Sequence, residues 1–187
     1  ELDHTTTLLR HQNEQSLALK ICNLKDGDSR AAYKTADIDV RAYKRIKMFV
    51  HAEGEGKEGE TDALYDGDLS CFIRLGSDFT ANYYEYEIPL KVTKHAERSQ
   101  DDIWPAENEI DIAFQIFQDA KQKRNKEGYD VGAPYISSAE GGKVVVIGNP
   151  NLSQVKTIMI GVRNPKKANN SSSDDGLDKC GQIWVNE

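Results

Sequence analysis

Two carboxylates in the sequence have the spacing of a possible catalytic pair. Glu85 and Glu87 belong to a run, 83–93, whose period-two pattern predicts a strand, so both side chains point to one face. Glycoside hydrolases use two carboxylates, and one of them needs an apolar pocket that raises its pKa. The neighbours of Glu85 and Glu87 look solvated. We therefore predict no catalytic residues and expect that the chain is not an enzyme.

Six aspartates stand beside glycines and could supply the hard oxygen ligands that calcium prefers. Asp-Gly is equally an ordinary turn sequence, and neither Asp-Gly-Asp triplet extends to the twelve-residue EF-hand pattern. We favour turns and predict no metal and no cofactor, with calcium as the less favoured alternative. The six are Asp26, Asp28, Asp66, Asp68, Asp174 and Asp175.

Five aromatic residues could form a surface that stacks on sugar rings. Strand propensity and core packing explain the same residues without a ligand, and we favour that interpretation. A carbohydrate-binding module therefore stays the alternative function. The five are Tyr83, Tyr84, Tyr86, Trp104 and Trp184.

The cysteines and histidines show no metal or redox motif. Cys22, Cys71 and Cys180 form no CxxC pair, and an odd count leaves at least one thiol free. Cys22 and Cys71 fall in predicted strands, where a small buried hydrophobic residue is the favoured interpretation and a disulfide the alternative. The histidines lack HxH and HExxH spacing; they are His4, His11, His51 and His95.

Composition limits the partners and the number of domains. The chain has 187 residues and a net charge of -7, with lysine and arginine scattered, so we expect no nucleic-acid partner. No apolar run approaches the roughly 20 residues of a membrane-spanning helix. A start at glutamate suggests a segment of a larger protein, and we expect one domain over 1–187.

Alternating apolar residues predict a series of short strands. The run 156–162 is apolar on both faces, so we predict a central strand, with Gly161 as a bulge or close-packing point. Pro89 cannot donate to a ladder and predicts an edge strand or a bulge for 83–93. The other predicted strands are 15–22, 31–34, the run through Ile46, Met48 and Val50, then 69–75, 143–147 and 182–186.

One helix interrupts this pattern. The segment 107–126 begins extended and is predicted to become helical from about Ile112, with Gly128 as its stop. The segments 53–68, 94–104, 129–142 and 165–181 are predicted loops, and Trp104 is expected to anchor its loop to the body. Short strands with one inserted helix indicate a mainly β fold, an antiparallel jelly-roll β-sandwich.

Longer phrases of the sequence resemble the SprA (Sov) family over nearly the whole chain. They are NEQSLALKICNLKDGDSRAAYK at 13–34, IKMFVHAE at 46–53, DGDLSCFIRLGSDFTANYYEYEIPLKVT at 66–93, IWPAENEIDIAF at 103–114, GNPNLSQVKTIMIGVRNPK at 148–166 and DDGLDKCGQIWVNE at 174–187.

Members of that family are large outer-membrane proteins of gliding motility and type IX secretion, in which they form the translocon barrel. The resemblance implies a soluble, non-enzymatic structural or docking domain inserted in such a barrel protein. Its partners would be the rest of the parent barrel and secreted cargo or accessory secretion subunits, and its location the cell outer membrane, on the periplasmic or the external side. The resemblance brings no catalytic residues, and the strand order is also similar to galactose-binding-like jelly rolls.

Overall fold

The computed structural model describes residues 16–56, 63–94, 99–170 and 174–186. His4, His11 and His95 lie outside the described residues, as does part of the predicted loops. In chain order the elements are β1 Ser16–Leu24, β2 Ser29–Ile38, β3 Arg45–Gly54, β4 Ser70–Gly76, β5 Tyr83–Pro89, α1 Gln100–Ile103, β6 Glu109–Ala113, α2 Gln115–Glu127, β7 Tyr135–Ala139, β8 Gly142–Ile147, β9 Val155–Arg163 and β10 Lys179–Asn186.

The strands form two antiparallel sheets, which confirms the predicted β-sandwich. The four-stranded sheet has the order β1-β10-β3-β6, and the six-stranded sheet has the order β2-β9-β4-β5-β8-β7. Apolar side chains from both sheets meet in one core, for example Val50 and Ile183 from the first and Ile73 and Val162 from the second. The more specific assignments of the fold, to a jelly roll and to the galactose-binding-like type, remain predictions.

Strand β9 lies inside the six-stranded sheet, between β2 and β4, as its apolar pattern predicts. Its burial is uneven: Val155 and Val162 are fully buried, whereas Ile158 and Ile160 are only partly buried. The two are partly buried because their cross-strand neighbours, Lys34 and Ala32 on β2, lie at the exposed rim of the sheet. The strand is therefore central in the sheet but half-covered in its middle.

Gly161 is a close-packing point and not a bulge, because it pairs in regular register with Ala31 and Phe72. A Cβ atom built on Gly161 would lie 2.4 Å from Phe72 Cζ and 2.6 Å from Ala31 Cβ. The glycine thus allows the Phe72 ring to lie directly on the β9 backbone.

Several predicted boundaries are wrong. The short strand 31–34 is the ten-residue β2, and the loop 129–142 contains β7. The extended start of 107–126 continues as β6 to Ala113, because β6 pairs with β3 up to Arg45, and the helix begins only at Gln115. Gly128 does end that helix, in the left-handed conformation.

Pro89 does not mark an edge strand. Strand β5 pairs with β4 as far as Pro89 but with β8 only as far as Glu87, so the proline lies where β8 has already ended. A missing N–H costs nothing at that place. In the loop 53–68, predicted to be exposed, Ala63 and Leu64 are buried. Leu64 packs against Gly54 and Gly181, because neither glycine has a side chain that would fill its place.

A disulfide joins Cys22 of β1 to Cys180 of β10, across 158 residues of sequence. The favoured prediction of a buried thiol is therefore wrong for Cys22, which lies at a register shift between the two strands. Only Cys71 among the cysteines is free, and burial raises the pKa of its thiol to about 12. No helix in the described part of the chain is long and apolar enough to cross a membrane.

Replacing Gly161 by valine should destabilise the fold by about 2 kcal/mol or more, because the new side chain has to displace Phe72 and the β2 backbone. Chemical denaturation with fluorescence detection measures the change. Gly132→Ala is the control, since the nearest atom to its added Cβ would be Asp130 Oδ1 at 3.6 Å. An unaltered midpoint for Gly161→Val would contradict the close packing.

Candidate functional site

The six-stranded sheet has a charged face that points away from the core. Alternation along β5 puts Tyr84, Tyr86 and Ile88 in the core, so Glu85 and Glu87 lie on the opposite face. The register sets Arg74 of β4 opposite Glu85, and it sets Lys143 of β8 opposite Glu87. We call Ser70, Arg74, Glu85, Glu87, Lys143 and Arg163 the charged face.

Glu85 is held by two guanidinium groups. Arg74 Nε and Nη2 donate to Glu85 Oε2 at 2.9 and 2.6 Å. Arg163 Nη2 donates to the other oxygen, Oε1, at 3.0 Å. Both carboxylate oxygens are thus occupied, and the side chain is only 3% exposed.

Glu87 is held in the same way by a different set of donors. Arg163 Nη1 donates to Glu87 Oε2, and Lys143 Nζ lies 2.7 Å from that same oxygen. Ser70 Oγ donates to Oε1 at 2.6 Å. Arg163 therefore bridges the two buried carboxylates with its two terminal nitrogens.

Aromatic rings flank the guanidinium groups of this face. The Arg74 guanidinium lies 3.8 Å from the centroid of the Tyr83 ring, and that of Arg163 lies 4.8 Å from the Phe72 centroid. Phe72 is almost fully buried although it points away from the core. Cation–π contacts at such distances add to the ion pairs and keep water away from them.

The sequence-based expectation that Glu85 and Glu87 have solvated neighbours is wrong. Both are buried, because the cations that pair with them come from β4, β8 and β9, and the sequence does not show which strands are neighbours. A general acid of a glycosidase needs an apolar pocket, whereas each of these carboxylates is surrounded by cationic donors. The arrangement suits ion pairing and strand registration.

The charged face also fixes a neighbouring loop, residues 77–82. Arg74 Nη1 donates to the carbonyl oxygen of Phe79 at 2.5 Å. Hydrogen bonds from the Ala81 backbone and the Asn82 side chain hold the pKa of Asp78 well below its usual range. The ring of Phe79 consequently stands against Tyr33 of β2, with 5.2 Å between the centroids.

The aspartates considered as calcium ligands gather partly around a lysine. Lys179 Nζ lies 3.0 Å from Asp68 Oδ2 and 2.8 Å from Asp175 Oδ1. Burial lowers the pKa of Lys179, but its hydrogen bonds to Asp175 and Asp68 outweigh burial and raise it overall. Asp66 and Asp174 accept backbone N–H groups of Val92 and Gly176.

Among residues 16–56, 63–94, 99–170 and 174–186, no group of three or more His, Cys, Asp or Glu side chains could hold a metal ion. Asp26 lies elsewhere and accepts the backbone N–H of Lys167, so it forms part of a loop contact. Between Asp68 and Asp175 lies the ammonium group of Lys179.

The three candidate tyrosines are packed and cannot present a flat ring to a sugar. Tyr83, Tyr84 and Tyr86 are all buried, and the hydroxyls of Tyr84 and Tyr86 donate to the carbonyl oxygens of Pro150 and Glu140. Desolvation raises the pKa of Tyr84 to about 12. The core interpretation therefore holds for Tyr84 and Tyr86, whereas the Tyr83 ring packs against Arg74 of the charged face.

Trp104 and Trp184 lie on the outer face of the four-stranded sheet, on either side of His51. Their centroids are 5.9 and 4.7 Å from the His51 ring, which is buried and whose Nδ1 lies 2.7 Å from the Ile103 carbonyl oxygen. Trp104 thus packs its loop against β3, as predicted. The two indoles are engaged with the histidine and do not form one open surface.

A cleft of about 290 Å³ lies between α2 and the loop after β8. Its cations are already engaged: Lys121 Nζ donates to the Pro150 carbonyl oxygen, and Arg41 pairs with Asp39. Burial and the nearby charge of Arg124 lower the pKa of Lys121. Both cationic side chains of the cleft therefore already have a hydrogen-bond partner within the chain.

Arg74, Lys143 and Arg163 are the site residues that the sequence did not reveal. The sequence did contain one indication of these cations: a strand with apolar residues on one face carries two glutamates on the other. If that second face is covered, the buried glutamates need cations beside them. The strand order that brings those cations to the glutamates is a long-range property, since Arg163 and Glu85 are 78 residues apart.

These features define an antiparallel β-sandwich with a network of buried ion pairs on the outer face of one sheet. A family model named SprA_N, described as motility related/secretion protein, matches residues 1–187, and the chain belongs to that family. The resemblance seen in the sequence is thereby confirmed. No match to the chain was found among curated proteins.

Replacing Glu87 by glutamine should destabilise the fold by about 2 kcal/mol, because Arg163 and Lys143 lose the charge that offsets their partial desolvation. The figure lies below that for a fully buried pair, since Lys143 is 41% exposed. Glu107→Gln, in the exposed pair with Lys91, is the matched control and should change the denaturation midpoint little. Equal effects of the two substitutions would contradict a structural role for the charged face.

Proposed function

We propose that this domain is a non-enzymatic structural or docking domain of an outer-membrane protein-secretion translocon, the kind needed for gliding motility and type IX secretion. The observation that carries the proposal is the family match over residues 1–187, which makes the chain a motility- or secretion-related protein. The phrase-level resemblance supplies the translocon role.

The disulfide supports a location outside the cytoplasm. Disulfides persist in the periplasm and at the cell surface, whereas cytosolic thiols are kept reduced. Cys22 and Cys180 lie on neighbouring strands, β1 and β10, so the bond belongs to the native sheet. A domain of an outer-membrane protein, on either side of that membrane, meets this condition.

The chemistry of the charged face supports a structural role over catalysis. Each carboxylate there is engaged by cationic or hydroxyl donors, and the guanidinium groups of Arg74 and Arg163 lie over aromatic rings. Carbohydrate binding has weaker support, because three of its five candidate aromatics are buried. The surfaces left for recognition are strand edges and exposed side chains, which suit protein docking.

Removing residues 16–186 in frame from the parent protein, with the rest of that protein retained, should lower secretion of cargo and impair gliding. The physical reason is loss of a docking surface and not loss of chemistry. The measurement compares secreted cargo, colony spreading and the amount of parent protein in the outer membrane. Normal secretion with a normal amount of truncated parent would refute the proposal.

In intact cells Cys22 and Cys180 should resist alkylation until a reductant is added, because the native protein is in an oxidising compartment. Mass spectrometry of the domain after sequential labelling with two alkylating reagents measures this. Cys71, which is free but buried, should react only after denaturation and serves as the internal control. Immediate labelling of all three cysteines after denaturation without a reductant would exclude the proposed location.

A further inference from the structure

Strand β2 forms the open edge of the six-stranded sheet. It is the terminal strand in the order β2-β9-β4-β5-β8-β7, and every residue of Ser29–Ile38 is exposed or half-exposed. In the described part of the chain no strand pairs with its outer side. Apart from the Ser29 carbonyl oxygen, which accepts a hydrogen bond from Arg30 Nη1 at 2.9 Å, no described residue prevents the backbone groups on that side from pairing with an added strand.

This edge is regular over a useful length. Seven consecutive residues, from Ser29 to Thr35, pair with β9 without a register shift, and the irregularity comes only after Thr35. Seven residues span about 23 Å, which is the length of a typical strand. The segment contains no proline and no bulge, and of the devices that limit strand addition it carries charged side chains, those of Arg30 and Lys34.

The other described edge strands are less suited to pair with an added strand. Strands β6 and β7 have five residues each, and β1 carries a register shift and the disulfide near its end. Among the described strands β2 is therefore the edge best suited to accept a partner.

The charges on β2 select the kind of strand that it can accept. Arg30 and Lys34 point to the same face of the strand, and neither forms an ion pair with a described carboxylate. Acidic side chains opposite them would gain a cross-strand attraction, and basic ones would be repelled. Self-pairing in the antiparallel register centred on Ala32 sets Arg30 opposite Lys34, so a second copy is disfavoured.

The opposite face of β2 offers a preformed apolar contact. Tyr33 is 62% exposed and Phe79 39% exposed, and their rings contact each other at 5.2 Å between centroids. Arg74 and Asp78 hold the loop that carries Phe79 in place. An apolar side chain on an added strand would pack beside Tyr33 with little ordering cost.

We propose that Ser29–Thr35 is a docking edge that binds an extended segment of a separate protein as an added strand. That segment alternates, with acidic residues facing Arg30 and Lys34 and apolar residues facing Ala31 and Tyr33. This inference rests on the proposed docking function and names the surface and the partner chemistry for it.

A synthetic peptide tests the docking edge directly. Its seven residues read valine, glutamate, valine, threonine, valine, glutamate, valine, a palindrome that presents its acids correctly in either strand direction. With a fluorophore at its N-terminus, it should bind the full chain in an anisotropy titration. A peptide of the same composition with the two glutamates adjacent at one end is the control and should bind at least about tenfold more weakly.

Variants of the chain place the binding on β2. Arg30→Glu combined with Lys34→Glu should weaken binding about tenfold, and Tyr33→Ala should weaken it to a smaller extent. Lys123→Glu with Lys126→Glu gives the same change in net charge on the exposed face of α2 and should leave binding unchanged. Hydrogen exchange should show new protection at 29–35 when the first peptide is bound.

Four results would overturn the docking edge: no binding of the alternating peptide, equal binding of the two peptides, equal loss in both charge-reversal pairs, or protection elsewhere than 29–35. Protection at 29–35 that rises with the concentration of the chain alone, without peptide, would show that a second copy occupies the edge. These results concern the edge alone, whereas the in-frame deletion decides the translocon role. Secretion reduced by the deletion but unaffected by the β2 variants would separate the two.

Discussion

The fold of the six-stranded sheet depends on one guanidinium group, that of Arg163, which is shared by two buried carboxylates. Glu85 and Glu87 are adjacent on the same strand face, and two negative charges so close could not both be buried without a cation between them. Arg163 meets that need from the end of β9, and Arg74 and Lys143 each place one further cation beside Glu85 and Glu87 respectively. Buried ion pairs of this kind contribute more to the choice of one arrangement than to its net stability.

That choice concerns strand register. A slip of one residue in β5 would turn Glu85 and Glu87 into the core and bring Tyr84 and Tyr86 onto the outer face. Apolar alternation alone disfavours such a slip, but a slip of two residues keeps the alternation. The pairs Glu85 with Arg74 and Glu87 with Lys143 disfavour that second error, because only one register sets each carboxylate opposite its cation.

The alternation of apolar residues along the sequence predicted most strands correctly, but it did not predict which strands lie beside one another in the sheets. The runs around Ile73, Tyr84 and Val144 were recognisable because one or both faces of each strand are apolar. Gly128 indicated the end of its helix because the left-handed backbone conformation found there favours glycine. Strand β2 was underestimated, since a strand exposed on both faces has no apolar alternation to reveal it. The charged face and the Cys22–Cys180 bond escaped prediction because both depend on contacts between residues far apart in sequence.

The same disulfide has a mechanical consequence. It joins the first described strand to the last, so the 158-residue segment between the two cysteines forms a covalently closed loop. Tension applied to the chain on either side of that loop passes from Cys22 to Cys180 through the sulfur atoms. The charged face and the β2 edge lie within the loop, whereas most of β1 and β10, with the core residues Ile21 and Ile183, lie outside it. A pull along the chain therefore acts first on the paired segments of β1 and β10 outside the bond, and the disulfide keeps it from the residues inside the loop.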